Sequence, residues 1–349
     1  IAENLSINMN NCEEIKKTIL NNKIDFVIVV PEKPLVEGLV DYLAKFNIKS
    51  FGPNKIASQL EGSKIFTKKM CKKYNIPTAK FGIFKNFKSA INFLDSSVFP
   101  IVIKADGLAS GKGVYISENK EEAIQAVKEI FDGKFGKPEQ ILIEEFLDGE
   151  EMSYFIISDG KCYKKFQTAQ DHKRVFEGDK GKNTGGMGAY SPSKLIDDNL
   201  DDKIIKKIIE PTLKGLKELG VSYEGFLYAG LMIKNGEPYL IEYNVRMGDP
   251  ECQTILPKLK NDLLDVLKSC IDKNLDSLNL DWSNDKSLCV VLCSKGYPDN
   301  FNNEIEITNL EKLKINNDNN EFIFHAGTKI IDNKIYSNGG RVLNFVKMS

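Results

Sequence analysis

The chain predicts a multidomain protein of mixed α/β and α+β class, and three features carry that expectation. Near the start, helical segments alternate with an apolar strand in the manner of a parallel α/β unit. The middle alternates short strands with helices and two glycine-rich loops, and residues from about 286 onward are strand-rich. A length of 349 residues with 42% hydrophobic content is enough to bury a sizeable core divided among two to four lobes.

Taken in order, Cys12 to Leu20 reads as helix, Ile24 to Val30 as strand and Leu35 to Phe46 as helix, followed by Lys49-Ser50-Phe51-Gly52. The run Asp25 to Val30 is nearly all apolar, as expected of a strand covered on both faces. After Gly62, the i, i+4 row Phe66, Met70, Tyr74 predicts a helix that stops at Asn75-Ile76-Pro77. Pro77 marks a lobe boundary. Strands at Phe81 to Phe84, Pro100 to Ala105, Val114 to Ser117 and Ile141 to Phe146 then define a compact α+β lobe. Beyond it come strands at Ser153 to Ser158 and Lys161 to Thr168, a helix from Asp201 to Lys217, and the pair Phe226 to Ile233 and Tyr239 to Asn244. Lys234-Asn235-Gly236-Glu237 joins that pair as a hairpin. The polar run 316 to 320 reads as a surface turn, and no internal repeat is evident.

Composition narrows the function. The formal charge is −1 with lysines and carboxylates interspersed, so no basic stripe argues for nucleic acid or a membrane surface. Seven cysteines at 12, 71, 162, 252, 270, 289 and 293 make a poor disulfide framework and fit a reducing compartment as mostly buried thiols. No signal or membrane-length apolar run is present. The expectation is a soluble, cytoplasmic monomer acting on small molecules.

The most informative stretch is Val102 to Val114, an apolar strand that delivers Lys104 into a loop of small residues. Gly107, Gly111 and Gly113 allow backbone N–H groups to turn toward an anion, while Lys104 and Lys112 bring positive charge. Three residues, not four, separate Gly107 from Gly111-Lys112, so this is no Walker loop, and the strand that follows excludes a dinucleotide fingerprint. On the hairpin strand, Glu242, Asn244 and Arg246 share one face because strand side chains alternate. The first two suit a hard cation shared with phosphates, and Arg246 a carboxylate or acyl phosphate. A plain exposed strand face is the alternative, and Met247-Gly248-Asp249-Pro250-Glu251 immediately after it favours the site. A second glycine-rich loop, Asn183 to Pro192, follows Gln170-Asp171-His172-Lys173-Arg174. Two such loops, each with nearby Lys or Arg, fit two phosphorylated or carboxylated ligands. His172 receives no catalytic role. Ile143 to Glu151 ends a strand in carboxylates, either a solvated turn or a hinge that meets an adenine edge and ribose hydroxyls. Leu60-Glu61-Gly62-Ser63-Lys64 contributes one further lysine.

In this order, the segments resemble the glycinamide ribonucleotide synthetases, or phosphoribosylamine–glycine ligases, of the ATP-grasp superfamily. The resemblance covers nearly the whole chain, from Pro31-Glu32 through the two loops to Phe324-His325-Ala326-Gly327-Thr328 and Asn338-Gly339-Gly340-Arg341-Val342. It implies an ATP-grasp fold with an incomplete N-terminal Rossmann-like domain (1–61), a central domain (62–77 and 150–285), a lid subdomain (78–149) and a strand-rich C-terminal domain (286–349). ATP would lie between two lobes, with Lys64, Lys104, Gly107, Ser110, Gly111 and Gly113 at its phosphates. Glu145, Phe146 and Leu147 would line the adenine and Glu151 the ribose. Glu242 and Asn244 would carry Mg2+ or Mn2+, and Lys104 and Arg246 would act in catalysis. Glycine and 5-phosphoribosylamine would meet Asp171, Lys173, Thr184, Gly185, Gly186, Gly188, Arg246, Asp249 and Arg341. The implied reaction joins glycine to phosphoribosylamine through a glycyl phosphate, in purine biosynthesis. Another ATP-grasp ligase or carboxylase, or a nucleotide-binding protein without turnover, stays open. Val30 stands before Pro31-Glu32 where the family has glycine, and the strand facing Glu242 offers Gly230 and Met232 instead of a second metal carboxylate. Against the family, Ile1 enters part-way through the first domain and Ser349 ends before a further helix, so the chain is expected to be a fragment trimmed at both ends.

Overall fold

The computed structural model describes residues 3–108, 113–136, 138–178, 180–313 and 320–349. The N-terminal unit opens with the helix Cys12–Asn21, where the Asn11 side chain accepts the Glu14 N–H and Ile15 and Ile19 are buried. Val27–Ile28 pairs in parallel with Ser50–Phe51. This strand is shorter than the apolar run, and among the described residues it has one neighbour only, so Ile28 and Val30 are 43% and 53% exposed instead of covered. The helix expected over Leu35 to Phe46 is split into Glu32–Glu37 and Leu39–Ala44. The break is Gly38, whose φ of 95° lets its N–H cap the Pro34 and Leu35 carbonyls.

The helix Lys64–Tyr74 starts at a Ser63 cap and ends at Asn75 in the left-handed conformation, φ 54°. It leads into an antiparallel sheet ordered Phe81–Phe84, Ile141–Glu145, Ile101–Ala105, Val114–Ser117. Ile101, Ile103 and Ala105 pack with Leu94, Val127 and Ile130 from two helices, forming this lobe's own core. Strand alternation therefore turns Val102 and Lys104 to the opposite face.

A second antiparallel sheet, ordered Glu237–Asn244, Glu224–Lys234, Glu150–Asp159, Tyr163–Lys165, is covered on both sides. Met152, Tyr154 and Ile156 enter one core with Leu35, Leu43 and Ile208, while Phe155 and Ile157 enter another with Val266 and Leu267. Gly230 pairs with Glu242 but Leu231 with Leu240, so Ile241 is an extra residue that re-aims the strand end. The expected helix Asp201 to Lys217 runs from Asp198 to Glu218 with a π-turn at Ile205–Ile209, just before Pro211, which lacks the N–H a regular turn needs.

The third large sheet crosses the boundary expected at 285/286. Its order is Glu321–His325, Arg341–Met348, Ser287–Cys293, Gly188–Ser191, Gln170–Asp171, so two short strands from the middle of the chain complete a C-terminal sheet. All seven cysteines are free thiols, three of them buried. Among the described residues no helix is long and apolar enough to cross a membrane.

Candidate functional site

At the seam between the two four-stranded sheets, Lys104 projects from its strand toward Glu144. Val102 pairs with Glu144, so Lys104 is its diagonal neighbour on the same face, within reach of a long side chain. Lys104 Nζ lies 2.8 Å from Glu144 Oε2, and Lys68 Nζ lies 2.8 Å from Oε1. All three are buried, at 5%, 2% and 3% exposure for Lys104, Lys68 and Glu144. Burial pushes the Glu144 carboxyl up, but Lys104 and Lys68 outweigh it and hold it below the ordinary range. Lys68 also donates to Thr78 Oγ1, which donates to the Leu240 carbonyl at 2.6 Å.

The glycine-rich loop is fastened at both described ends. Ser63 Oγ donates to the Asp106 carboxylate at 3.0 Å, the Ile65 N–H adds a bond to Oδ1 at 3.2 Å, and Lys64 Nζ donates to the Gly107 carbonyl at 2.9 Å. Burial lowers the Lys64 pKa against the pull of Glu242. The Ala105 N–H donates to the Gly113 carbonyl at 2.8 Å, so Gly113 closes the strand pair. Gly107 adopts φ 94°, and a Cβ there would meet nothing within 4 Å, so backbone conformation and not crowding calls for glycine. Ser110 and Gly111, with Lys112, lie outside the described residues.

Along the same edge, the Glu145 side chain accepts the Lys80 N–H at 2.9 Å, and Phe146 and Leu147 follow outside the sheet ladder, with Phe146 38% exposed. Glu151 is paired to Lys173 at 2.9 Å, and Lys173 is what holds its carboxyl below the ordinary range. A residue expected at the ribose and one expected at the substrate are thus joined in one ion pair.

The hairpin strand ends at Asn244, so Glu242 and Asn244 share its face while Arg246, expected on the same strand, lies in the bend that follows; the burial of Tyr243, Val245 and Met247 still alternates with the three. Among the described residues no side chain hydrogen-bonds to the Glu242 carboxylate, and Asn244 Oδ1 meets only Arg246 Nη2 at 3.4 Å. The described residues hold no cluster of three or more His, Cys, Asp or Glu that could bind a metal by itself. Two protein oxygens fit magnesium's habit of using few protein ligands and completing its shell with water and phosphate. Arg246 is fastened differently from its expected aim at a substrate carboxylate. Its Nη2 pairs with Glu61 at 2.9 Å and its Nε with Glu32 at 3.3 Å, while Glu61 also accepts the Val245 N–H at 2.8 Å. A half-buried guanidinium needs such counter-charges, and they come from the N-terminal unit. Burial raises the Glu61 carboxyl more than Arg246 lowers it.

The second loop sits on the third sheet. Thr184 is held by the Lys173 carbonyl through both its N–H and Oγ1, each at 2.7 Å, and Thr184 Oγ1 accepts the Gly186 N–H at 3.0 Å. Gly186 has φ 116°, and a Cβ there would collide with Pro250 Cδ at 2.5 Å and Asp171 Oδ1 at 2.8 Å. Gly188 lies equally close to the Cys289 carbonyl, 2.6 Å from where a Cβ would be. Arg341 does not reach openly toward a ligand: Nη1 donates to the carbonyls of Asp249 at 2.5 Å and Gly185 at 2.7 Å, and Nη2 pairs with Asp249 Oδ2 at 3.2 Å. Beneath this loop Asp171 Oδ1 is buried with no hydrogen-bond partner among the described residues, and burial, then the nearby Glu251 charge, pushes the Asp171 carboxyl up to about 8. Glu251 is 2% exposed and accepts from Ser153 Oγ at 3.1 Å.

Charge effects tie these groups into one neighbourhood: Lys64 feels Glu242 and Lys104, Lys173 feels Glu151, Glu242 and Asp171, and Glu151 feels Lys104. Sequence reasoning missed Lys68 and gave no individual role to Asp106, Glu144 and Glu251, which it took only as parts of longer motifs. Lys68 carried a readable signal, standing one turn after Lys64 on a helix whose apolar row is Phe66, Met70, Tyr74.

Comparison with known proteins follows the same lines. Family profiles described as the N domain, the ATP-grasp (A) domain and the C domain of phosphoribosylglycinamide synthetase match residues 1–61, 62–252 and 287–349. A phosphoribosylamine–glycine ligase of Brucella melitensis is 47% identical over 322 residues, covering 92% of this chain and 75% of the relative. One from Caldanaerobacter subterraneus is 42% identical, covering 100% and 83%. The crystal structure of the phosphoribosylamine–glycine ligase of Thermotoga maritima superposes with a TM-score of 0.78 at 36% identity, covering 86% of this chain and 74% of that one. The biotin carboxylase domain of Hydrogenobacter thermophilus 2-oxoglutarate carboxylase, at 17% identity and a TM-score of 0.73, shares the ATP-grasp fold. With the N, A and C profiles matched in order, the chain belongs to the phosphoribosylglycinamide synthetase family.

Proposed function

We propose that this chain joins glycine to 5-phosphoribosylamine at the expense of ATP, giving glycinamide ribonucleotide, ADP and phosphate. One observation carries the reading beyond the family match: Lys64, which fastens one end of the glycine loop, lies close enough to the buried Lys104 and to Glu242 to feel both charges. Lys104 and Lys64 hold the phosphates of ATP, and the backbone of Phe146 and Leu147 meets the adenine edge. Glu242 and Asn244 hold a magnesium or manganese ion, which when bound spreads the charge developing on the transferred phosphoryl group. A glycine carboxylate oxygen attacks the γ-phosphorus and ADP leaves. The phosphoribosylamine nitrogen then attacks the glycyl carbonyl carbon, phosphate departs and the nitrogen loses a proton. No protein nucleophile is needed, and positioning with fixed positive charge does the catalysis. The loop 183–187 and the Asp249 turn, braced by Arg341, shape the substrate side. The free thiols suit a cytosolic setting for this reaction.

The test is ADP release measured with each substrate omitted in turn. Release that requires glycine and phosphoribosylamine together supports the ligase. ATP binding without release would favour a nucleotide-binding protein, and release driven by bicarbonate would favour a carboxylase.

A further inference from the structure

Two buried lysines share one carboxylate at the seam. Lys68 and Lys104 each lie 2.8 Å from a different oxygen of Glu144, and no other carboxylate lies within ion-pair distance of either among the described residues. A buried ion pair is closed when one charge of each sign is present, and its isolated members are costly. Here Glu144 can be neutralised by either lysine alone, so the triad carries one surplus positive charge at 5% exposure or less. The two lysines are not equivalent. Lys68 is also tied to Thr78 and through it to the Leu240 carbonyl, on the strand that carries Glu242. Among the described residues Lys104 has Glu144 as its one salt-bridge partner, and it sits where its strand enters the glycine loop.

We propose that Lys68 is a positioning residue for nucleotide binding: it keeps Glu144 neutralised, so that Lys104 is free to leave the carboxylate for an ATP phosphate. This rests on the reading of Lys104 as a phosphate contact. Without Lys68, Glu144 would have Lys104 as its only cation, and moving Lys104 to a phosphate would strand a buried carboxylate. With both Lys68 and Glu144 made neutral, that penalty disappears.

The experiment measures magnesium-ATP binding to the full chain by titration calorimetry for the unaltered protein, K68M, and K68M/E144Q, with circular dichroism as the check of folding. K68M should weaken ATP binding about tenfold or more while the KM for glycine stays unchanged, the scale of one charged hydrogen bond. K68M/E144Q should return binding to within about threefold of the unaltered chain, as expected of coupled neighbours. A purely structural role for Lys68 gives no such rescue. ATP binding by K68M equal to the unaltered chain, or a folded double variant as weak as K68M, would overturn the proposal. Should K68M fail to fold, the double variant, which leaves no buried carboxylate to be stranded when Lys104 moves, decides by the same threshold. Failure of the unaltered chain to bind ATP would instead strike the site assignment, and this inference with it.

Discussion

Arg341 separates a brace from a substrate contact. Its side chain is 21% exposed and makes two short bonds to the Asp249 and Gly185 carbonyls, at 2.5 and 2.7 Å, plus a longer pair with Asp249 Oδ2. Bonds to charged donors are worth about 1.5 to 3 kcal/mol each, and partial exposure puts these at the low end, so R341A should release about 2 to 4 kcal/mol of loop restraint. If loop order is required in the transition state, kcat/KM for glycine should fall by up to about 30-fold to 1,000-fold. The KM for ATP should move little, because Lys64, Lys104 and Glu144 lie on other elements. Hydrogen exchange should show faster amide exchange at Thr184, Gly186 and Met187, whose N–H groups are bonded in the intact loop. Unchanged exchange at these amides together with lost glycine use would refute the brace and make Arg341 a direct substrate contact.

Lys104→Ala should weaken ATP binding by about tenfold to a hundredfold while the fold survives, since Glu144 keeps Lys68; loss of folding on calorimetric melting would contradict this. Glu242→Gln should leave the melting temperature unchanged, as no side chain among the described residues bonds to it, yet reduce turnover severely; normal turnover at limiting magnesium would remove it as a ligand. Asp171 has its carboxyl raised to about 8, so in the folded chain it holds its proton far above the unfolded value near 3.8. Its contribution to stability is present in full below that unfolded value and is lost as pH rises through about 8. Asp171→Asn should therefore flatten the decline in stability between these limits, and denaturant melts at several pH values check it.

How legible the site was depends on whether its parts were local. The face shared by Glu242 and Asn244 follows from strand alternation, though the strand stops before Arg246, and the direction of Lys104 follows from the apolar strand behind it. Glu144 was hidden because Glu144-Glu145 reads as one acidic turn, whereas pairing with Val102 buries the first and leaves the second at the edge. The one-turn spacing after Lys64 marks Lys68, but its pairing with Glu144 depends on a helix packing over a sheet, which no local spacing specifies. The anchoring of Arg246 by Glu32 and Glu61 spans more than 180 residues of chain, so the strand face could show its direction but not its partners. The shared third sheet was missed for a related reason: Gly188–Ser191 is four residues inside a glycine-rich loop, and only its pairing with Ser287–Cys293 makes it a strand.

The central claim is that glycine is activated as an acyl phosphate at the Lys64, Lys104, Glu242 and Asn244 site. Glycine labelled with 18O in both carboxylate oxygens tests it in one turnover experiment, by mass analysis of the phosphate released with ATP and phosphoribosylamine present. The account predicts one 18O atom carried from glycine into each phosphate. Phosphate released without label would contradict it.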